Sequence, residues 1–312
     1  MSSKANAIIL EKNPLVAKQL ERYFRSAGFK PSSFDALPLE SIDKNTIEVF
    51  ATDTYECENI ERALEAFPAA KMVLWTAEPL ERTLRIASEN PRLSNILGRE
   101  NFESVPRDWE LLMVLRRLKE PKAEGPKLAW FMNWGFTGFQ EIIDSSSTRD
   151  KVVHKVKKFV SAMGVRSKVA ESFSEVAHEL LMNAMYDAPV DLSGNHKYAH
   201  DRKSDITLLE NERPRFKLAS DGSRLAIQVT DPFGQLRRDR VFRGIERGLT
   251  SGEMDTSHGG AGLGLTVMHQ GTNVLFFNVC CGLSTEVTGI FELKRSQRDF
   301  RLLPKSLHYF ET

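Results

Sequence analysis

The chain has 312 residues, enough for about two domains, and its formal net charge of +1 provides no global attraction to nucleic acid. Its hydrophobic fraction of 41% and charged fraction of 27% are ordinary for a soluble protein. The first residues are polar and no apolar run reaches membrane-spanning length, so we expect a cytoplasmic protein that neither enters a membrane nor binds nucleic acid.

The first third of the sequence alternates short apolar runs with amphipathic helical patterns. Strands are predicted over 7–10, 47–52, 71–76 and 95–97, and helices over 14–27, 60–67, 80–88 and 109–118. Such alternation predicts a parallel sheet covered by helices on both faces. We therefore predict an α/β domain over residues 1–120.

This first domain resembles the receiver domain of response regulators. Glu11 and Lys12 fall at the receiver's acidic pair, Asp53 at its phospho-acceptor, Thr76 at its switch threonine and Arg99 at its invariant lysine. Lys12 places an ammonium group where a divalent cation needs oxygen ligands, so phosphorylation of Asp53 should be poor. The favoured interpretation is a receiver-shaped interaction module without phosphotransfer, that is, a pseudo-receiver.

Residues 121–144 are predicted to form a linker that contains an aromatic-rich segment. The stretch 119–127 is polar and holds two prolines and a glycine. The stretch 128–139 then carries five aromatic residues: Trp130, Phe131, Trp134, Phe136 and Phe139. Two interpretations stay open, burial of the segment against a domain, which is slightly favoured, and an exposed patch for a partner or a dimer.

A helical pattern from about Lys168 to Asp187 contains the first candidate site. Glu179 and Asn183 are four residues apart, so they share one face of the helix. A carboxylate and a carboxamide in this arrangement can hold a hard cation and face one reacting atom. Alone, the pair would be ordinary polar residues on a solvated face.

Two later segments carry the other candidate groups. Residues 225–231 alternate as a strand that ends at Asp231, and Pro232 and Gly234 break it into a turn. Residues 259–264 are rich in glycine and precede a helical pattern, whose first N–H groups would favour a phosphate. No strand precedes these glycines and no P-loop lysine follows them, which excludes a dinucleotide fingerprint and a P-loop.

In this order, the three segments resemble the N box and the two glycine boxes of the GHKL superfamily of ATP-binding domains, which includes gyrase, Hsp90, histidine kinases and MutL. The resemblance covers residues 145–295, and the layout is most similar to the anti-sigma-factor serine kinases and the histidine-kinase catalytic domain. It implies an α/β sandwich with helices on one face of a mixed sheet, and it implies ATP and Mg²⁺ as cofactors.

The resemblance also implies roles for individual residues. Glu179 would be the catalytic base, Asn183 the Mg²⁺ ligand, and Asp231 the acceptor for the adenine amino group. The implied ATP-binding positions are Asn183, Asp187, Asp231, Gly234, Gly260, Gly262, Leu263, Gly264 and Thr288. Many members carry a positive residue three or four places after the N-box asparagine. Here those places hold Tyr186 and Asp187, so the phosphate charge must be met elsewhere.

Two segments offer the missing positive charge. The long polar connection 188–213 holds Lys197, Arg202 and Lys203, any of which could reach the phosphates. Residues 235–258 are expected to form an ATP lid, and they contain five arginines at positions 237, 238, 240, 243 and 247. The remaining residues, 296–312, are predicted to be a C-terminal tail of unassigned role.

Two classes of function follow from these expectations. The first, which Glu179 favours, is a protein serine/threonine kinase of anti-sigma type that the receiver-like domain regulates. The second is a non-catalytic, ATP-gated protein-binding module, or a histidine-kinase-like ATPase without its own phospho-acceptor, because Lys155 follows His154 where an acidic residue would be needed. The expected partner is a regulatory protein such as a sigma factor or an anti-anti-sigma-like protein, and a homodimer is also open.

Overall fold

The computed structural model describes residues 5–38, 44–53, 57–121, 125–250, 261–293 and 304–312. The chain is α/β and divides into two compact units. The first comprises Met1–Lys122 with Leu303–His308, and the second comprises Ala123–Leu302 with Tyr309–Thr312. Within the described ranges, no helix is both long and apolar enough to cross a membrane.

The first unit contains a parallel sheet with helices between its strands. In chain order the elements are β1 (Ala5–Leu10), α1 (Pro14–Ser26), β2 (Phe29–Phe34), β3 (Ile47–Asp53), α2 (Cys57–Ala66), β4 (Lys71–Thr76), α3 (Leu80–Glu89), β5 (Asn95–Gly98) and α4 (Asp108–Lys119). The parallel pairings give the order β2-β1-β3-β4-β5, which is a doubly wound arrangement. The predicted parallel α/β sheet is therefore confirmed.

The central strands of this sheet are hydrophobic along their length because both of their faces are covered. In β4, Met72, Val73, Leu74 and Trp75 have no exposed surface. The sequence prediction missed β2, whose residues are mostly polar and include Pro31. A proline is tolerated there because β2 lies at the edge of the parallel set.

The C-terminal residues are a correction to the predicted tail, because Ser306–Glu311 form a strand, β11. In the first unit, Leu307 and His308 pair with Ile96 and Asn95 in antiparallel register. His308 is fully buried, and its Nε2 lies 2.8 Å from Oε1 of Glu110. Burial opposes ionisation of Glu110, but the hydrogen bond from His308 and the charge of Arg107 hold its pKa below the ordinary value.

In its described residues, the second unit combines a sheet with four α-helices. In chain order the elements are β6 (Thr137–Ile142), α5 (Ser146–Ala162), α6 (Ser167–Met182), β7 (Arg215–Ser220), β8 (Arg224–Asp231), α7 (Arg238–Thr250), α8 (Ala261–Gly271), β9 (Val274–Cys280) and β10 (Ser284–Glu292). Antiparallel pairings give the order β9-β10-β8-β7-β6. Thr312 donates to the Val279 carbonyl at 2.9 Å and accepts from the Cys281 amide at 3.0 Å, the pattern of parallel neighbours, so the sheet is mixed.

Helices α5, α6 and α8 pack together over one face of this sheet. The opposite face is covered by a short 3₁₀ turn, Leu128–Phe131, whose Phe131 ring lies 5.1 Å from the ring of Phe276. Successive residues of a strand face opposite sides, so Phe277 faces the helices. This turn and β6 belong to the second unit, which corrects the predicted linker over 121–144.

The aromatic-rich segment contains both buried and exposed residues, and a partner or dimer at the exposed ones stays a prediction. Phe131 is fully buried, and Phe139 packs against Phe216 at a ring distance of 5.8 Å. Trp130, Trp134 and Phe136 are instead exposed, Trp134 completely. The segment is thus partly core and partly surface.

Candidate functional site

A pocket in the second unit lies between the end of α6, the helices α7 and α8, and the sheet. Its lining residues are Leu180, Asn183, Ala184, Asp187, Ala188, His196, Val229, Asp231, Gln235, Leu236, Arg240, Leu265, Met268, Phe277, Thr285 and Val287. The cavity volume is about 60 Å³, below the several hundred Å³ of most ligand sites. A nucleotide would therefore need lining side chains such as the exposed Gln235 and Arg240 to move.

The last turn of the predicted helix is a π turn, Asn183–Asp187, in which the Ala188 amide donates to the Asn183 carbonyl at 2.9 Å. Such insertions are frequent at functional sites because they redirect side chains. Here Asn183 and Asp187 line the pocket, while the buried Tyr186 hydroxyl lies 2.9 Å from Oγ of Ser146. The sequence pattern predicted continuous helix and contained no signal for this turn.

Helix α8 brings the second glycine segment against Glu179 and Asn183. A β-carbon on residue 264 would lie 2.5 Å from Oε2 of Glu179 and 3.7 Å from Oδ1 of Asn183. Only glycine fits at position 264 unless the Glu179 carboxylate moves. Two segments separated by about 80 residues thus form one polar corner of the second unit.

Asp231 ends β8 and lies at the sheet side of the pocket, only 6% exposed. Its Oδ1 accepts a hydrogen bond from the Phe233 amide at 2.9 Å, but burial dominates and raises the pKa of Asp231 to about 7. Gly234 follows with φ +63°, and a β-carbon there would lie 2.1 Å from the Cys280 carbonyl oxygen. The turn after β8 therefore requires glycine.

The register of β10 corrects the prediction that Thr288 contacts ATP. Thr288 pairs with Gln228, and Nε2 of Gln228 donates to Oγ1 of Thr288 at 3.0 Å on the face away from the pocket. Thr285 is three residues away, on the other face, and lines the pocket directly opposite Asp231. The sequence could not choose between them because the register of β10 depends on its neighbours.

Asp187 lies in the pocket wall beside Arg202, whose Nη2 is 3.6 Å from Oδ2 of Asp187. The same guanidinium nitrogen lies 3.4 Å from Oδ1 of Asn183 and 3.9 Å from Oε2 of Glu179. Burial raises the pKa of Asp187, while the charges of Arg202 and Arg240 oppose the rise. Four polar side chains thus meet at this corner. The sequence predicted three of them as site residues and gave Arg202 as one of three candidate cations for the phosphates.

The other predicted glycine-box positions have mixed outcomes. Gly260 lies outside the described residues, and Gly262 is in the first turn of α8. Leu263 is half exposed and is not among the lining residues of this pocket, so its assignment to ATP binding stays a prediction. Within the predicted lid, Arg238–Thr250 form helix α7, and residues 251–258 lie outside the described residues. The lid role of this segment stays a prediction.

In the first unit, the residues at the receiver positions do converge. Arg99 is buried, with Nη2 2.6 Å from Oδ2 of Asp53 and Nη1 3.0 Å from Oε2 of Glu11. Thr76, at the end of β4, is fully buried. Lys12, at the receiver's acidic pair, is exposed. The described residues hold no group of three or more His, Cys, Asp or Glu that could bind a metal ion.

No protein-family model and no curated protein matches this chain. Among solved structures it is similar to a response regulator from Thermotoga maritima, with 16% identity over 37% of this chain and 98% of that one, at a TM-score of 0.31. A pilus assembly-related protein from Burkholderia pseudomallei has 16% identity over 37% of this chain and 89% of that one, at a TM-score of 0.30. The SiaB–SiaC complex from Pseudomonas aeruginosa has 13% identity over 50% of this chain and 88% of that one, at a TM-score of 0.36. Likenesses this low say nothing about activity.

Proposed function

We propose that the second unit binds ATP with Mg²⁺ and transfers the γ-phosphoryl group to a hydroxyl of a partner protein. The observation that carries this proposal is the convergence of Glu179, Asn183 and Gly264 at one end of a pocket whose sheet side holds the buried Asp231. These groups come from three separate segments of the chain, and each offers a different part of nucleotide chemistry.

The donor set fits the adenine end of ATP. Asp231 is a buried carboxyl group in a mostly apolar wall formed by Val229, Leu265, Phe277 and Val287. A flat base can fill such a wall, and one buried acceptor can select for its exocyclic amino group. At position 234 a side chain would collide with the backbone of the turn after β9, so this turn, three residues after Asp231, requires glycine.

The opposite end fits one metal ion and a reacting hydroxyl group. Mg²⁺ commonly takes one or two protein oxygens and completes its shell with waters and phosphate oxygens, so Asn183 Oδ1 suffices as the protein ligand. When bound, the ion would offset phosphate charge. Glu179, one helical turn earlier and about a quarter exposed, is placed to accept a proton from an acceptor hydroxyl or to orient it.

A non-catalytic, ATP-gated binding module is the second candidate. The observation that favours it is the guanidinium of Arg202, which contacts Glu179 and Asn183, the residues that catalysis would need. Transfer of radiolabelled phosphate to a protein of a cell lysate would support the kinase. The module is supported if ATP binds without transfer or hydrolysis. In either case, we propose a regulatory protein partner, such as a sigma factor or an anti-anti-sigma-like protein, in cytoplasmic signalling.

We propose that the first unit is a pseudo-receiver that acts through protein contacts. Arg99 already pairs with both Glu11 and Asp53, so an acyl phosphate on Asp53 would have to displace a buried ion pair. We expect incubation with acetyl phosphate and Mg²⁺ to give no labelling of Asp53, as measured by intact mass. Labelling that the Asp53→Asn variant abolishes would contradict this expectation.

The affinity for ATP should depend on pH through Asp231. The ionised carboxylate is the better acceptor for an amino group, and a pKa of about 7 leaves Asp231 mostly protonated at pH 6. We therefore expect ATP to bind about tenfold more weakly at pH 6 than at pH 8 in titration calorimetry. Asp231→Asn should weaken binding at pH 8 by about tenfold or more and flatten this part of the profile.

The stability of the free protein provides the control for this experiment. Because the folded pKa of Asp231 lies above 3.8, its contribution to stability is greatest below pH 4 and is lost as the pH rises through 7. Asp231→Asn removes this loss, so the stability of the variant relative to wild type should increase between pH 4 and pH 8. Absence of ATP binding by a folded wild-type protein at pH 8 would overturn the proposed function.

A further inference from the structure

The connection between the π turn and β7 is an anchored loop. At its start, Asp191 accepts hydrogen bonds from the Ser193 and Asn195 amides at 2.8 and 2.9 Å. Lys197 and Tyr198 both contact the buried carboxylate of Glu212. These bonds within residues 191–212 give the loop a defined course.

The loop is also fixed immediately after Arg202. The Ser204 carbonyl accepts from the Tyr186 hydroxyl at 2.6 Å, and the Ile206 amide donates to Oγ of Ser146 at 2.9 Å. The Ser146 amide in turn donates to the Ile206 carbonyl at 3.0 Å. Since Tyr186 belongs to the π turn and Ser146 begins α5, the loop carrying Arg202 is attached to the π turn of the site and to α5.

The attached loop places the Arg202 guanidinium among Glu179, Asn183 and Asp187, at 3.9, 3.4 and 3.6 Å from their oxygens. Without a cation, this corner would present two carboxylates to any phosphate group and would repel it. A guanidinium offers several donors in a fixed plane and therefore suits phosphate oxygens.

We propose that Arg202 is the cation through which this site recognises the phosphates of a nucleoside triphosphate. This inference rests on the proposed ATP-binding function and assigns a role to the loop that carries Arg202. Of the other two candidate cations that the sequence offered in this loop, Lys197 is engaged with Glu212, and Lys203 is exposed. Arg202 is the loop cation whose contacts include both Glu179 and Asn183.

The test compares nucleotides that differ only in their phosphates. Titration calorimetry with adenosine, AMP, ADP and ATP, each with Mg²⁺, is performed on wild type and on Arg202→Gln, with Arg202→Met as a second variant. We expect the ATP affinity to fall by about 10- to 100-fold and the adenosine affinity to stay within about twofold. Lys203→Gln, which removes the neighbouring exposed charge, is the matched control and should bind ATP like wild type.

Other outcomes separate this inference from the proposed function. Wild-type ATP affinity in either Arg202 variant would overturn the role of Arg202, and so would an equal loss of adenosine and ATP affinity. If wild type binds neither adenosine nor ATP, the proposed function fails first and this inference fails with it. Circular dichroism and melting temperature identify a variant that does not fold, and the other variant then decides.

Discussion

Arg99→Ala is expected to lower the free energy of unfolding of the first unit by about 3–5 kcal/mol, the usual cost of leaving buried charges without their partner. The Arg99 guanidinium contacts Asp53 and Glu11, and the side chains of all three residues are at most 12% exposed. Removal of the guanidinium leaves two carboxylates close together with little access to water. Chemical denaturation followed by circular dichroism at pH 7 measures the loss.

The contribution of this buried ion triad can be compared with that of an exposed ion pair. Arg25→Ala is the matched control, because Arg25 pairs with Glu21 at 2.6 Å but is 57% exposed, and a surface pair contributes at most about 1 kcal/mol. A loss below about 1 kcal/mol for Arg99→Ala would show that the ion triad does not stabilise the fold.

Glu179→Gln is expected to reduce phosphoryl transfer by about 10²–10⁴-fold, the usual contribution of a general base, while ATP binding stays within a few-fold of wild type. The amide keeps the size of the side chain that packs against Gly264 but cannot accept a proton. Radiolabelled ATP incubated with a cell lysate measures transfer, and calorimetry measures binding. The separation of the two readouts distinguishes catalysis from assembly of the site.

The matched control for this variant is Glu175→Gln. Glu175 lies one turn earlier on α6 and is exposed, so the loss of its charge should change neither transfer nor binding. Undiminished transfer by Glu179→Gln would exclude Glu179 as the base. Equal loss of binding and transfer would assign Glu179 to nucleotide binding instead.

Sequence patterns predicted the structure most accurately where they involve residues close together in the chain. Periodicity predicted α1 and its end at Gly28, which has φ +90°, and it predicted the buried strands β3 and β4. Glu179 and Asn183 were expected to share one helix face, and both do meet Arg202. These features depend on residues within a few positions of one another.

Local sequence patterns do not predict a residue's role where that role depends on distant neighbours. The sequence predicts a C-terminal tail, because no residue near His308 indicates its partners. Those partners are Glu110 and Asn95, about 200 residues earlier. Thr285 and Thr288 are equally plausible in the sequence, and only pairing with β8 places Thr285 on the pocket side. The receiver resemblance puts Arg99 at the invariant lysine, but only packing shows that its guanidinium contacts both Asp53 and Glu11.

By itself, the sequence determined the two α/β units, the order of their main elements and the three segments that supply Glu179, Asn183, Asp231 and Gly264. These follow from the spacing of apolar residues and from glycines at turns, which act over one or two helical turns of chain. Only the tertiary structure decided that Arg202 meets Glu179 and that Arg99 meets Asp53. Such ion pairs join residues 23 and 46 positions apart, and their geometry exists only after strands and helices have packed.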